Sequence, residues 1–296
     1  MSETLANPPV VVGFEDDDAG RRAVVWAADH AARVKCPLTV VHVLDWPVTA
    51  DSEAMSGSSE ATWRAEARAA GQRVLDVGAA LACGRQPGVE VQRRLADGPP
   101  SEALLSAATG AGALVLGSRR LSSLREMLTT GSVAVPVSTR APCPLVVVRH
   151  AEHSAARPRK IVVGVDGSPA SERALAWAFD EASRRDATVL AVSAFSVPHS
   201  PFATVAAAQA MSDAAVTLER ALIRCGRAYP DVRSRPVVVA GHPARQLVDE
   251  AEDALCLVIG THGRGGFVEM LLGSVSRELI HRAPCPLVLV PETFDA

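Results

Sequence analysis

The residues whose types and spacing point most directly to chemistry are Gly260-Thr261-His262-Gly263-Arg264-Gly265-Gly266 and, a few positions on, Gly273-Ser274-Val275. Four glycines in seven residues let successive backbone N–H groups converge in conformations that side chains would forbid. Gly273-Ser274 opens a helical pattern, and the first amides of a helix, at its positive dipole end, hold anions. Such a segment can cradle a phosphate chain. It is not a Walker A loop, because no Gly-Lys-Ser/Thr follows, nor a dinucleotide fingerprint, because Val268 stands where the third glycine would be. Taken alone, it reads as a surface loop followed by an N-cap.

Arrangements for bond breaking are missing from the sequence. There is no Gly-x-Ser-x-Gly elbow and no His-Glu-x-x-His helix. The eight histidines are scattered; His42, between Val41 and Val43, reads as a strand histidine with a satisfied hydrogen bond, and His262 as a loop residue rather than a base. Cys36, Cys83, Cys143, Cys225, Cys256 and Cys285 form no C-x-x-C pair, and several sit in apolar runs such as Leu255–Val258. Buried free thiols in a reducing cytoplasm are the better reading than a disulfide or zinc framework, and no metal site is expected.

The whole chain sets the frame for that segment. Its 296 residues suffice for two cores. Net charge is -3, and a division after His150 leaves 15 basic and 16 acidic residues before it, 15 and 17 after it. Neither half is electropositive, which argues against a dedicated nucleic-acid binder. Aromatic residues make up 4%, too few for base-stacking platforms. No run of about 18 apolar residues suggests a membrane span, and Met1–Pro9 does not read as a signal peptide.

The elements that would position the loop emerge from a repeat. Val10-Val11-Val12-Gly13-Phe14-Glu15 recurs 151 residues later as Ile161-Val162-Val163-Gly164-Val165-Asp166, and the same offset carries Arg22, Trp26 and Asp29 onto Arg173, Trp177 and Asp180. Near the ends, Arg140–Val146 recurs as Arg282–Val288 at an offset of 142. Most of the nine lost residues fall after the second strand, where Asp51–Glu60 reads as a loop. The reading is two tandem domains, residues 1–150 and 160–296, joined by a linker at 151–159. In the second copy, strands are expected at Lys160–Asp166, Thr188–Ala194, Arg235–Ala240, Leu255–Gly260 and Leu287–Val290. Ser168 would cap the first helix with Pro169 at its first position, and Ala174, Leu175, Ala178 and Ala182 would share its buried face. Apolar strands separated by helices imply mostly parallel sheets in two doubly wound α/β domains. Ligands of such sheets bind beyond the strand carboxyl ends, at the point where strand order reverses.

Gly260-x2-Gly263-x9-Gly273-Ser274, with Asp166 ending the first strand and an Arg-Ala-Pro-Cys-Pro-Leu-Val ending, resembles the universal stress protein family across nearly the whole chain. The resemblance implies a five-stranded parallel sheet in each domain and a cytoplasmic location. It also implies ATP or another adenine nucleotide, with or without Mg2+, and a homodimer. The expected role is regulation of growth or stress survival, through a protein partner that the sequence does not identify. Carried over, Asp166 stands at the nucleoside end with Gly164 beside it; Ala194 touches the adenine through its backbone, and Gly241 lines the same pocket. Gly260, Gly263, Gly273, Ser274 and Val275 surround the phosphates, where Arg264 either adds charge or stands solvated.

The first copy departs from that pattern. Its corresponding positions are Gly13, Glu15, Val43, Gly98, Gly117, Gly131, Ser132 and Val133. Glu15 replaces the aspartate, and its extra methylene is expected to push the carboxylate into the pocket. Asp16, Asp17 and Asp18 follow, a negative cluster that also suits helix capping. Arg120 takes the second glycine's place, and Gly131-Ser132 arrives one residue late. These changes imply a weakened or lost nucleotide site. Two other classes stay open: an adenine-nucleotide hydrolase or adenylyl-transfer enzyme on the same fold, and a nucleotide-free partner-binding scaffold.

Overall fold

The computed structural model describes residues 7–45, 58–118, 133–152, 159–195, 203–263 and 272–294. The chain packs as two compact units, Met1–Cys143 and Pro144–Ala296.

In the first unit the elements run β1 (Val10–Gly13), α1 (Asp18–Val34), β2 (Leu38–Leu44), α2 (Ser58–Arg85), β3 (Val91–Asp97), α3 (Pro100–Ala107), β4 (Ala113–Gly117) and α4 (Ala134–Ser138). Strands lie parallel in the order β3-β2-β1-β4, with Val10 opposite both Leu38 and Ala113. The loop expected over Asp51–Glu60 gives way to α2 at Ser58, while 51–57 lie outside the described residues.

The second unit contains β5 (Leu145–Val148), β6 (Lys160–Gly164), α5 (Pro169–Arg185), β7 (Thr188–Phe195), α6 (Ala203–Ala228), β8 (Ser234–Ala240), α7 (Pro243–Glu250), β9 (Cys256–Gly260), α8 (Ser274–Arg282) and β10 (Leu287–Val290). A parallel sheet runs β10-β9-β6-β7-β8, and β5 adds to it antiparallel, Val146 opposite Val288. This pairing places the packing boundary after Cys143, whereas the sequence repeat closes near His150. It also covers an edge of β10 that would otherwise present unpaired backbone groups.

Local signals explain the elements well. Ser168 caps α5 by accepting from the Ser171 N–H at 3.2 Å, and Pro169 occupies the first turn, where a missing N–H costs nothing. Ala174, Leu175, Ala178 and Ala182 are buried as their spacing requires. α1 and α5 both stop on a left-handed, non-glycine residue, Lys35 (φ 55°) and Asp186 (φ 47°), whose N–H bonds Ala31 or Ala182. The repeat is thus reproduced down to a mildly strained helix end.

All six cysteines are free, and Cys36, Cys143, Cys256 and Cys285 are buried. Burial pushes the Cys143 thiol up to about 12 and raises Cys256 and Cys285 as well, so these groups act as small apolar side chains. Near the linker, the buried Arg185 guanidinium holds Glu152 at 2.5 Å and Glu181 at 3.4 Å. Burial alone would weaken its charge, but the paired carboxylates raise its pKa instead.

Candidate functional site

In the second unit β6 has β7 on one side and β9 on the other, so strand order reverses there. A cavity of about 360 Å³ opens at that point, at the carboxyl ends of β6, β7 and β9. Gly164 ends β6 and Asp166 follows it in the lining, Val192 and Ala194 come from β7, Pro243 and Leu247 from α7. Gly260, His262 and Gly263 follow β9, and Gly273, Ser274, Val275 and Ser276 open α8 opposite them.

Two glycines of the wall work by close approach. A Cβ on Gly260 would sit 2.7 Å from the backbone carbon of Ala170, so β9 can meet the start of α5 only with glycine there. A Cβ on Gly263 would sit 2.5 Å from Asp166 Oδ2, which draws the loop against the carboxylate. Gly273 differs: a Cβ there would meet Thr261 O at 3.5 Å and Ser276 Oγ at 3.7 Å, ordinary contacts. Its φ of -63° is open to any residue, so the fold tolerates a side chain that the cavity would have to absorb.

Asp166 is held by hydrogen bonds from its own turn. Ser168 donates to its Oδ1 twice, through N–H at 2.9 Å and Oγ at 2.6 Å. The same Oγ accepts the Ser171 amide, and the His262 carbonyl oxygen lies 3.3 Å away. One hydroxyl therefore links the carboxylate, the α5 N-terminus and the glycine loop. Across the cavity, Ser276 Oγ lies within hydrogen-bond reach of both the Gly260 and Thr261 carbonyls, and Gly273 N–H donates to Thr261 O. α8 has no side-chain cap, and Ser274, Val275 and Ser276, whose amides lack intrahelical partners, line the cavity. His262 Nδ1 is engaged with Thr261 Oγ1 at 3.1 Å.

Of the residues expected at the site, Gly164, Asp166, Ala194, Gly260, Gly263, Gly273, Ser274 and Val275 converge on this cavity. Gly241 is not among its lining. It makes the β8–α7 turn at φ 141°, its N–H bonded to Phe195 O, and Pro243 reaches the cavity in its place. Arg264 lies outside the described residues. The lining also includes Val165, Ser171, Val192, Leu247, Ile259 and Ser276, which sequence reasoning did not single out. Strand alternation would have found Val192, two residues before Ala194 on the same face. Among the described lining residues, Asp166 is the carboxylate, His262 the imidazole, and there is no lysine or arginine.

The first unit keeps the frame of this site. A Cβ on Gly117 would overlap the backbone of Ala19, as Gly260 would overlap Ala170. Gly13 packs on Leu104 and Leu116 as Gly164 packs on Leu247 and Ile259. Gly98 is left-handed at φ 106°, with its N–H on Leu44 O, matching Gly241. Val43 is half-buried on β2 and Val133 precedes α4, whereas Gly131 and Ser132 lie outside the described residues.

Glu15 corrects the expectation placed on it. Its carboxylate turns toward His42, with Oε1 3.8 Å from Nδ1. His42 alternates with Val41 and Val43, and its counterpart Ser193 falls between the cavity-facing Val192 and Ala194. Glu15 therefore points to the opposite face of the sheet. His42 itself is buried, its Nδ1 3.0 Å from the Phe14 carbonyl, as a strand histidine should be. Among the described residues, no group of three His, Cys, Asp or Glu side chains is placed to hold a metal, and no helix is long and apolar enough to cross a membrane.

Comparison with known proteins follows the same two halves. Residues 7–149 and 158–291 each match the universal stress protein family. Two universal stress proteins of Mycobacterium tuberculosis strain H37Rv are 34% identical to this chain, over 306 and 310 aligned residues, covering 99% of it and 100% of each relative. The crystal structure of a universal stress protein from Archaeoglobus fulgidus superposes with a TM-score of 0.69, at 16% identity, over 97% of both chains, which establishes the shared fold.

Proposed function

The chain belongs to the universal stress protein family, and from that premise we propose that its second half binds ATP as a regulatory ligand. The observation that carries this reading is the cavity at the β6–β9 reversal, walled by glycines and closed by the start of α8. Its volume of about 360 Å³ falls in the range of small-molecule sites. Asp166 at one end suits ribose hydroxyls, as a carboxylate beyond a strand does in other nucleotide folds. At the other end, backbone amides of Ser274–Ser276 and the α8 dipole suit phosphate. Val192, Ala194, Pro243 and Leu247 give the base an apolar slot. The residues thus fit the nucleotide, and the amide cradle admits Mg2+-bound phosphates equally.

ATP in this reading stabilises one conformation, with turnover absent or very slow. Backbone amides bind ground-state phosphate, but acceleration needs groups that strengthen their hold in the transition state. The chain then acts in the cytoplasm as a nucleotide-responsive regulator of stress response or growth, as a homodimer, with an adenine nucleotide and a regulatory protein as partners. Its free, buried thiols suit a reducing compartment.

The full chain, purified gently, should carry adenine nucleotide detectable by mass spectrometry. Titration calorimetry should give about one ATP per chain. Gly273→Val should lower affinity by ~100-fold or more, because the added side chain fills ligand space, while unliganded stability falls by only about 1 kcal/mol at an N-cap position. The ATP-induced rise in Tm should disappear with it. A hydrolysis rate of ~1 per second or more, lost in Asp166→Ala, would overturn the regulatory reading in favour of an enzyme.

A further inference from the structure

Ser276 is buried in the cavity wall with its hydroxyl committed to the protein. Its Oγ lies 3.1 Å from the Gly260 carbonyl oxygen and 3.2 Å from that of Thr261. A hydroxyl has one proton to give, so the two carbonyls at the end of β9 share it. Gly273 N–H donates to the same Thr261 oxygen at 3.2 Å. Together these contacts staple the first turn of α8 to the last residues of β9. Ser276 is the third residue of α8, a position from which a side chain can reach back to the cap N–H. Here that N–H is already bonded to Thr261, and Gly273, at the cap, has no side chain to offer the turn. The helical ladder begins with Arg277 N–H on Gly273 O at 3.0 Å. The amides of Ser274, Val275 and Ser276 are left without intrahelical partners, on residues that line the cavity.

The first copy lacks this arrangement. At the offset of 142 that relates the two ends, Ala134 takes the place of Ser276. It is buried but has no hydroxyl. Val133, the counterpart of Val275, lies before α4 rather than within it, so α4 starts later in its repeat than α8 does.

We propose that Ser276 is a positioning residue for the phosphate end of the site. Its hydroxyl fixes the first turn of α8 against β9, so that the unpaired amides already stand where a phosphate group meets them; the hydroxyl itself does not touch the ligand. The proposal rests on the nucleotide reading above and adds a residue to it. Helix ends fray, and an unheld first turn would have to be ordered by the ligand as it binds, which lowers affinity. With the staple in place that ordering precedes binding. The effect belongs to the phosphates alone. Val192, Ala194, Pro243, Leu247 and Asp166, which take the nucleoside in that reading, come from β7, α7 and the turn after β6. None of them is held by Ser276. A hydroxyl that merely satisfied two buried carbonyls would act on stability and would not tell phosphates from nucleoside.

Titration calorimetry of the full chain with ATP, and with adenosine in competition, tests this. Ser276→Ala should weaken ATP binding by about tenfold or more while adenosine stays within about twofold of its wild-type affinity. Ser276→Thr keeps the hydroxyl and should hold ATP within about threefold of wild type. Ser276→Cys, a weak donor of similar size, should repeat the split between the two ligands at a smaller amplitude. It carries the test if the alanine variant does not fold. The unliganded Tm of Ser276→Ala should fall by no more than about 4 °C, and its amide hydrogen exchange should quicken over Ser274–Arg277. A wild type that binds no ATP would overturn the nucleotide reading and this role with it. ATP binding that Ser276→Ala leaves unchanged would keep the nucleotide reading and overturn the role. Equal losses for ATP and adenosine would make Ser276 a structural residue of the cavity and would also overturn the proposal.

Discussion

The turns that lead from the first strand of each repeat into its first helix differ where the rest of the frame agrees. After β6, Gly167 is left-handed at φ 79°, and Ser168 is a cap that both accepts from α5 and donates to Asp166. After β1, Asp16 stands in place of that glycine, and the Asp17 N–H turns back onto Glu15 O at 2.8 Å. The tighter path brings the Glu15 carbonyl over α1, where Gly20 alone leaves room; a Cβ there would overlap it. Asp17 still caps its helix, accepting from the Gly20 N–H at 2.7 Å. A carboxylate cap has no proton to offer a second carboxylate. Glu15 therefore swings to His42, while Asp166 is held at the cavity. The turn residues, Asp16 against Gly167, and the caps, Asp17 against Ser168, together separate an organised acidic group from a displaced one.

The largest expected effect tests what the units share. Gly117→Val and Gly260→Val should each cost more than ~3 kcal/mol in urea unfolding, since the new side chain would strike helix backbone that cannot move aside. If one variant were tolerated, the two frames would not be equivalent.

The next sharpens the contrast at the cap. Ser168→Ala and Asp17→Ala should each lose about 1 kcal/mol as helix caps. Calorimetry should separate them: Ser168→Ala should lower ATP affinity by ~10-fold through the loss of a charge-assisted hydrogen bond, and Asp17→Ala should leave it unchanged. Equal affinities in both variants would remove the cap hydroxyl from the account of the site.

The smallest effect concerns Asp29 and its repeat counterpart Asp180. Asp29 joins α1 to α2, accepting from Arg85 at 2.8 Å and Gln86 at 2.7 Å, whereas Asp180 pairs with Arg184 inside its own helix and hydrogen-bonds Tyr229 beyond α6. Burial would raise the Asp29 carboxyl, but the Arg85 and Gln86 hydrogen bonds, with the Arg85 and Arg33 charges, hold it below its usual value. A depressed folded pKa contributes stability above the unfolded value near ~3.9 and loses it as pH falls through the folded one. Asp29→Asn should thus cost ~1–2 kcal/mol at pH 7, shrinking steadily below about pH 4. Asp180→Asn should stay within ~0.5 kcal/mol. Equal costs measured by chemical unfolding would break this part of the comparison.

Strand positions were legible in the sequence because each is a short apolar run ended by glycine or a polar turn. Leu287–Val290 agrees residue for residue, and Arg235–Ala240 starts one residue earlier, at Ser234. Most of the site was legible too, because a glycine motif has a fixed relation to the strand before it. Ser168 was read as a cap, but its bond to Asp166 was not, since one hydroxyl serving two elements leaves no mark in local spacing. Glu15 was misread because its side-chain length was weighed without the turn that sets its direction. Pro243 and Leu247 escaped notice because helix residues become site residues only through packing. The β5–β10 pairing was legible in part, because two apolar last strands at sheet edges must be covered, while its antiparallel register depends on tertiary placement.

That pairing bears on how such a gene could be taken apart again. The duplication is most visible at residues 151–159, and a recombination event or an engineer would cut there. The cut would leave β5 behind, removing from β10 the strand hydrogen-bonded to it at Val146–Val288 and its neighbours. A second copy released in this way begins life with an open, apolar edge of Leu287–Val290, and would need a new strand or would aggregate. A fragment beginning at Pro144 keeps the edge closed. The strand written as the end of the first copy therefore serves the second.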